Sequence, residues 1–242
     1  MTNTAFITGA AKRLGKAMSL HLAGQGWNIA IHYNSSEGEA VKFQDELKAS
    51  FPNQQFEIFR ADLNNVNEVE TLIPQVVQAM GNIDLLINNA SLFERGNLTS
   101  TETGFLDRQM NVNFKAPFIL TRDFARLVKK GLIINFVDTR IVNNKSNFAA
   151  YSLSKKAVWE MTKMAALELG PTIRVNAIAP GLTLAPAGKD DDFLWKLAAN
   201  IAMKRPGGVS PILKSLDYII DNDYLTGQLI FCDGGENLGL TN

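Results

Sequence analysis

Tyr151 and Lys155 stand four residues apart in Tyr151-Ser152-Leu153-Ser154-Lys155, at the start of a segment with helical periodicity. Side chains at i and i+4 share one helix face. An ammonium beside a phenol favours phenolate and lowers a pKa that starts near ~10. A tyrosine tuned this way can give a proton to a substrate. Thirteen positions earlier, Asn135-Phe136-Val137-Asp138 ends a run of strand character on a carboxylate. Open α/β sheets bind ligands at such carboxyl ends. A carboxylate there would repel a developing alkoxide, so a plain ketone fits poorly. A nitrogen heterocycle fits better, because the carboxylate can accept its N–H groups or, when protonated, relay a proton to it. An aspartate at this place also suits a plain turn or cap.

A second constellation lies near the start of the chain. Thr8-Gly9-Ala10-Ala11-Lys12-Arg13-Leu14-Gly15 joins an apolar strand to an apolar-periodic helix. Gly9 allows a sharp turn, Gly15 lets the helix approach the strand, and the helix N-terminus offers N–H groups to a pyrophosphate. Lys12 and Arg13 stand where the helix dipole is already positive, a placement that a bound anion would make favourable. The next strand is followed by His32-Tyr33-Asn34-Ser35-Ser36-Glu37. An enzyme that uses NAD usually places a carboxylate at this strand end for the ribose 2′-hydroxyl. Here Asn34, Ser35 and Ser36 offer small amide and hydroxyl donors, which suit a 2′-phosphate and favour NADPH. Glu37 lies near the acid's place. Ser36 and Glu39 have capping-box spacing, and an acid in the first turn of a helix is favourable, so Glu37 and Glu39 also read as helix-start residues.

These side chains need a scaffold. Seven short β-rich runs are predicted: Thr4–Thr8, Asn28–Tyr33, Phe56–Phe59, Ile83–Ile87, Leu132–Val137, Ile173–Ile178 and Leu229–Phe231. Several are apolar almost throughout, the pattern of strands covered on both faces in a parallel sheet. Helical periodicity fills the intervals, as in Glu37–Ser50, Val66–Met80, Phe114–Lys130 and Ala150–Leu169. Alternation of this kind implies right-handed βαβ units in one doubly wound, Rossmann-like α/β domain over residues 1–242, with a mostly parallel seven-stranded sheet and helices on both faces. Pro180 to about Asp190 is the one long irregular stretch, the form of a lid or binding loop.

Composition bounds the rest. Lys and Arg total 24 and Asp and Glu total 24, so no basic excess suggests nucleic acid. No apolar run reaches the ~18 residues of a membrane span. One cysteine, Cys232, excludes an intrachain disulfide. With a strand starting almost at Met1, the expectation is a cytoplasmic protein. His21 reads as part of the first helix, with no metal-ligand cluster around it.

The order of the Gly-rich turn, Asn88-Asn89-Ala90, Asn113, Tyr151/Lys155 and Pro180-Gly181 resembles the short-chain dehydrogenase/reductase superfamily over nearly the whole chain. That resemblance implies a homotetramer that moves hydride to or from a nicotinamide. It assigns Tyr151 as proton donor and Lys155 as holder of the nicotinamide ribose. Asn113 would support a proton-relay water. Asp62, Leu63, Asn89 and Ala90 would lie on the adenosine side, and Pro180, Gly181 and Thr183 on the nicotinamide side. Leu14 belongs to the cofactor turn.

Two positions depart from the general pattern. Arg13 replaces a third glycine, and Asp138 replaces a serine thirteen before the tyrosine. Both departures resemble the pteridine reductase branch. So do Asn89-Ala90-Ser91-Leu92-Phe93, His32-Tyr33 with Ser36 four residues after the histidine, and the turn itself. In that branch Phe93 would face the nicotinamide across the pterin, Ser91 would bond the pterin edge, and Arg13 would reach cofactor phosphate and substrate. Ser35 stands where some members hold the 2′-phosphate with arginine. The implied activity is NADPH-dependent reduction of a dihydropterin, dihydrofolate or dihydromonapterin at a ring C=N. Two other readings remain open: a carbonyl reductase acting on oxoacyl thioesters or small ketones, and a catalytically silent NADP-binding regulator.

Overall fold

In the computed structural model, residues 2–144, 146–186 and 188–239 are described. Seven strands form one sheet: β1 (Thr4–Ile7), β2 (Asn28–Tyr33), β3 (Phe56–Arg60), β4 (Leu85–Asn88), β5 (Gly131–Phe136), β6 (Ile173–Pro180) and β7 (Leu229–Cys232). Their order is β3-β2-β1-β4-β5-β6-β7, and every pairing is parallel. All seven expected strands are present, and the sheet is parallel throughout rather than mostly so. The strand order reverses between β1 and β4, the crevice where such sheets take ligands.

Among the described residues eight α-helices cover the sheet: α1 (Arg13–Gly24), α2 (Glu37–Ser50), α3 (Val66–Met80), α4 (Thr103–Met110), α5 (Ala116–Leu127), α6 (Ala149–Leu169), α7 (Asp191–Ala198) and α8 (Ser210–Asp221). The two faces carry separate cores. One joins Ile7, Ile29, Ile31, Ile87 and Ile134 to Met18, Leu22, Phe43 and Ile212. The other joins Phe6, Leu86 and Ile133 to Leu72, Ile73, Ile119 and Phe124. Alternate residues of β1 thus feed opposite layers, as a pleat buried on both sides requires.

The segment expected as a helix from 114 to 130 differs. α4 runs into a π-helical turn at Asn111–Lys115, and α5 begins only at Ala116. A π turn inserts an extra residue into the helical ladder and commonly marks a functional position. Asn113 sits within it, fully buried.

A buried polar chain ties the middle of the sheet to α6. The Asn88 amide of β4 donates to Asn135 Oδ1 of β5 at 2.8 Å. Asn135 Nδ2 donates to Thr162 Oγ1 at 2.9 Å, and that hydroxyl donates to the Val158 carbonyl at 2.8 Å. Among the described residues no helix is long and apolar enough to cross a membrane.

Candidate active site

The turn between β1 and α1 is held by side chains from distant strands. Thr8 Oγ1 accepts the N–H groups of Asn89 and Ala90 at 2.9 and 3.0 Å. The Asn89 amide donates back to the Thr8 carbonyl at 2.8 Å. His32 Nδ1 accepts the Gly9 N–H at 3.0 Å, so its Nε2 carries the proton and donates to the Ala61 carbonyl at 3.1 Å. Burial lowers the pKa of this imidazole to about 4, and it is neutral at physiological pH. His32 therefore shapes the turn with both ring nitrogens already used.

Gly9 has φ +65°, in the left-handed region, and a Cβ at Gly15 would overlap the Gly9 carbonyl oxygen. Arg13 also has φ +52°, a conformation that costs a side-chain-bearing residue about 1 kcal/mol or more. The family's glycine at this place has a backbone reason, and this chain keeps the conformation with an arginine. The Arg13 guanidinium donates to the Ala185 carbonyl at 2.7 Å, which links the turn to the loop after β6.

Beside the turn lies a cavity of about 340 Å³, lined by Gly9, His32, Asn34, Asp62, Leu63 and Ala90 among others. These expected cofactor residues come together in space. Ser35 and Ser36 sit next to it at the end of β2, while Tyr33 is buried in the core under α2 and does not line it. Leu14 packs on the same core. The expected capping box does not form. Ser36 makes no side-chain cap, and Glu39 pairs instead with Lys12 at 2.6 Å. The cradle fits a dinucleotide: Gly9 with its left-handed backbone, Gly15 with no room for a Cβ, an α1 N-terminus with no side-chain cap, and no carboxylate at the end of β2 itself. On the far side, a Cβ at Gly181 would stand 2.6 Å from Asp233 Cα, so glycine lets the loop after β6 pass close to the end of β7. Thr183 Oγ1 donates to the Gly181 carbonyl at 3.2 Å.

Tyr151 and Asp138 meet at the end of β5. The Tyr151 hydroxyl donates to Asp138 Oδ2 at 2.8 Å. Asp138 Oδ1 accepts the Arg140 N–H at 2.8 Å and so caps the 3₁₀ turn Thr139–Val142. One carboxylate thus both caps the turn and accepts the phenol hydroxyl. Burial, and then the charge and hydrogen bond of Asp138, hold the Tyr151 phenol well above its ordinary pKa. The sequence expectation of a phenol acidified by lysine is reversed. Lys155 Nζ lies 5.9 Å from the Tyr151 ring centroid and donates to the Phe136 carbonyl at 2.8 Å. Burial lowers the Lys155 pKa to about 8, partly offset by the Asp138 charge.

The Asn113 side chain is fully engaged. Its Oδ1 accepts the Leu92 N–H and the Ser91 hydroxyl at 2.8 and 3.1 Å. Its Nδ2 donates to the Leu92 carbonyl and to Gln109 Oε1 at 2.9 and 3.0 Å. Through these bonds Asn113 fixes the loop that carries Ser91 and Phe93.

Phe93 is 49% exposed and stacks on Phe148, with centroids 4.4 Å apart and ring planes 4° from parallel. It meets Tyr151 edge to face at 4.7 Å. The Arg140 guanidinium lies 4.5 Å from the Phe148 centroid, and that of Arg95 lies 5.8 Å from it. Phe148, Arg140, Arg95 and Gln109 were not legible as site residues. The only available signal was the general enrichment of aromatic and arginine residues at binding surfaces. Glu236 also enters the site from the chain's far end. Burial, then the charges of Asp138 and Asp233, raise its pKa.

Comparison with known proteins agrees with this geometry. The family model described as short chain dehydrogenase matches residues 3–192. The chain is 31% identical over 97% of its length, and 99% of the relative's, to the 3-oxoacyl-[acyl-carrier-protein] reductase FabG of Staphylococcus epidermidis. Among solved structures it is similar to the FolM alternative dihydrofolate reductase 1 of Brucella canis complexed with NADP. That pair has TM-score 0.91 and 33% identity, with 99% of this chain and 96% of the other covered. The same protein from Brucella suis in complex with NADP gives TM-score 0.89 and 33% identity, covering 98% and 96%. Sheet order, Gly-rich turn, tyrosine–lysine helix and a match across most of its length all agree, and the chain belongs to the short-chain dehydrogenase family.

Proposed function

We propose that this protein reduces a pteridine, taking hydride from NADPH and a proton from the Tyr151–Asp138 pair. The chain is an NADP-dependent oxidoreductase. The observation that carries the pteridine reading is the 2.8 Å hydrogen bond from the Tyr151 hydroxyl to Asp138. A carboxylate in that place opposes a developing alkoxide and suits a ring that brings its own N–H donors.

The turn from Gly9 to Gly15, with Lys12, Arg13 and Leu14, would hold the pyrophosphate. Asn34, Ser35 and Ser36 would take the 2′-phosphate, and Asp62, Leu63, Asn89 and Ala90 the adenosine. Lys155 and the stretch Pro180, Gly181 and Thr183 would hold the nicotinamide end. When bound, the reduced nicotinamide supplies the hydride.

The protein's own groups supply the proton. A buried phenol beside a carboxylate keeps its proton through neutral pH, so Tyr151 remains a donor. As it gives that proton to the ring nitrogen, the Asp138 carboxylate loses its hydrogen-bond donor, and a proton from solvent restores the phenol. Lys155 stays charged up to about pH 8 and supports the phenol oxygen as the proton departs. Phe93 would cover the outer face of the heterocycle and Ser91 its edge. Arg13, already spanning from the turn to Ala185, would touch both phosphate and substrate.

A second reading has one finding in its favour. The relative from Staphylococcus epidermidis is named as a 3-oxoacyl-[acyl-carrier-protein] reductase. NADPH oxidation measured side by side on dihydrobiopterin, dihydromonapterin, dihydrofolate and an acetoacetyl thioester separates the two. Turnover of the thioester with none of the pterins would overturn the pteridine reading. Assembly as a homotetramer is supported by Phe118, Met164 and Leu167, which leave apolar surface exposed on α5 and α6. The single cysteine supports a reducing, cytoplasmic setting.

A further inference from the structure

Two loops meet at the mouth of the site. The loop after β4 bears Phe93 and Arg95, and the turn after β5 bears Arg140 and leads to Phe148. A parallel bridge pairs Gly96 with Phe148. Gly96 N–H donates to the Asn147 carbonyl at 3.2 Å, and Ala149 N–H donates to the Gly96 carbonyl at 2.9 Å. The two segments are therefore tied together. Phe93 and Phe148 stack between them, with the Arg140 guanidinium over the Phe148 ring and that of Arg95 close by.

The charges here are unbalanced. Among the described residues, neither Arg95 nor Arg140 has a carboxylate within ion-pair distance. Glu94 is the only acid in the 91–97 loop, and it is turned towards Arg108 and Gln109 at 3.1 and 2.9 Å. Residues 139–148 contain no acid; Asp138 takes the Arg140 backbone N–H and Glu236 feels the Arg140 charge, but neither forms an ion pair with its guanidinium. Arg140 commits one nitrogen to Asn147 Oδ1 at 3.1 Å. Two cations are thus held on an aromatic surface, and that surface begins at the tyrosine. Stacking on a ring fixes a guanidinium's plane and leaves its edge donors free for an anion.

We infer that Arg95 and Arg140 form a subsite for an acidic tail on the substrate, with the Phe93–Phe148 pair supporting an aromatic ring between that tail and the reacting heterocycle. This rests on the pteridine reading and narrows it to pterins that carry a benzoyl-amino acid, over those with a neutral hydroxylated side chain. Guanidinium–carboxylate bonds at a partly desolvated mouth bind strongly and weaken with salt.

The test compares kcat/KM for dihydrofolate and for dihydrobiopterin in the wild-type holoenzyme, in R95Q/R140Q and in R95K/R140K. The expected result is a drop of about tenfold in the dihydrofolate-to-dihydrobiopterin ratio in the glutamine variant, carried by KM. The lysine variant should recover part of it, and added salt should lower the wild-type ratio. A fall common to both substrates, leaving the ratio where it was, overturns the inference, because lost loop structure would act that way. p-Aminobenzoyl-glutamate, titrated calorimetrically into the NADPH complex, reads the subsite without turnover. Binding by wild type and its loss in R95Q/R140Q support the subsite even if no pterin is reduced. Equal binding, or none by wild type, sinks it.

Discussion

The proposed cofactor side and the proposed substrate side of this crevice are built from different materials. Around Thr8–Gly15 the contacts are backbone groups and small side chains: Gly9, Gly15, the Thr8 hydroxyl and a neutral His32. Around Tyr151 they are large side chains on two loops, Phe93, Phe148, Arg140 and Asp138. A backbone cradle has one geometry that most substitutions destroy. A side-chain wall can change its chemistry while the strands beneath stay put. The two regions should therefore fail in different ways.

The largest effect is expected at the wall. Asp138→Ser should reduce kcat for pterins on the order of a thousandfold, since it removes the proton partner of Tyr151. NADPH affinity, measured by fluorescence titration, should stay within about twofold. Undiminished pterin turnover in this variant would show that the carboxylate is only a cap. Gly15→Ala should show the opposite split. The added Cβ has nowhere to go but the Gly9 carbonyl, and NADPH affinity should fall about a hundredfold with a lower Tm.

A third effect is a pH dependence belonging to the cradle. His32 has a pKa of about 4 in the folded protein against about 6.5 when exposed. The unfolded chain thus binds the extra proton first, and stability present above pH 6.5 drains away as pH falls towards 4. Between pH 7 and pH 5 this group should remove about 2 kcal/mol. Urea melts of wild type and His32→Gln should differ in pH slope by that amount, and equal slopes would count against the buried neutral imidazole. The smallest effect concerns the wall again. Phe148→Leu loses a stack worth about 1 kcal/mol and should raise the pterin KM several-fold with NADPH binding unmoved.

The same division explains what could be read from the chain. Strands such as Asn28–Tyr33 and helices such as Glu37–Ser50 and Val66–Met80 declare themselves through local periodicity. Gly9 and Gly15 declare a turn because only glycine fits there. The region from Thr103 to Lys115 does not, because its π turn accommodates Asn113's bonds to Leu92, Ser91 and Gln109, contacts that periodicity does not encode. Spacing put Lys155 on the same face as Tyr151. It was silent on the Phe136 carbonyl that holds the ammonium and on the direct Asp138 contact that sets the phenol's pKa the other way. Ser36 and Glu39 had the pattern of a cap, and the ammonium of Lys12 took the glutamate instead.

The hydrogen-bonded series Asn88–Asn135–Thr162 has a bearing on how such a site can be remodelled. β4 leads directly into the Phe93 loop and β5 into Asp138, so a one-residue slip between them would invert both. Their amides fasten the two strands at the last rung before the loops diverge, Asn88 opposite Asn135. A designer could exchange the loops above this rung for others and still inherit a fixed gap between the floor of the binding slot and its proton source. Replacing the amides with aliphatic residues would remove the hydrogen-bonded series and leave that gap to chance.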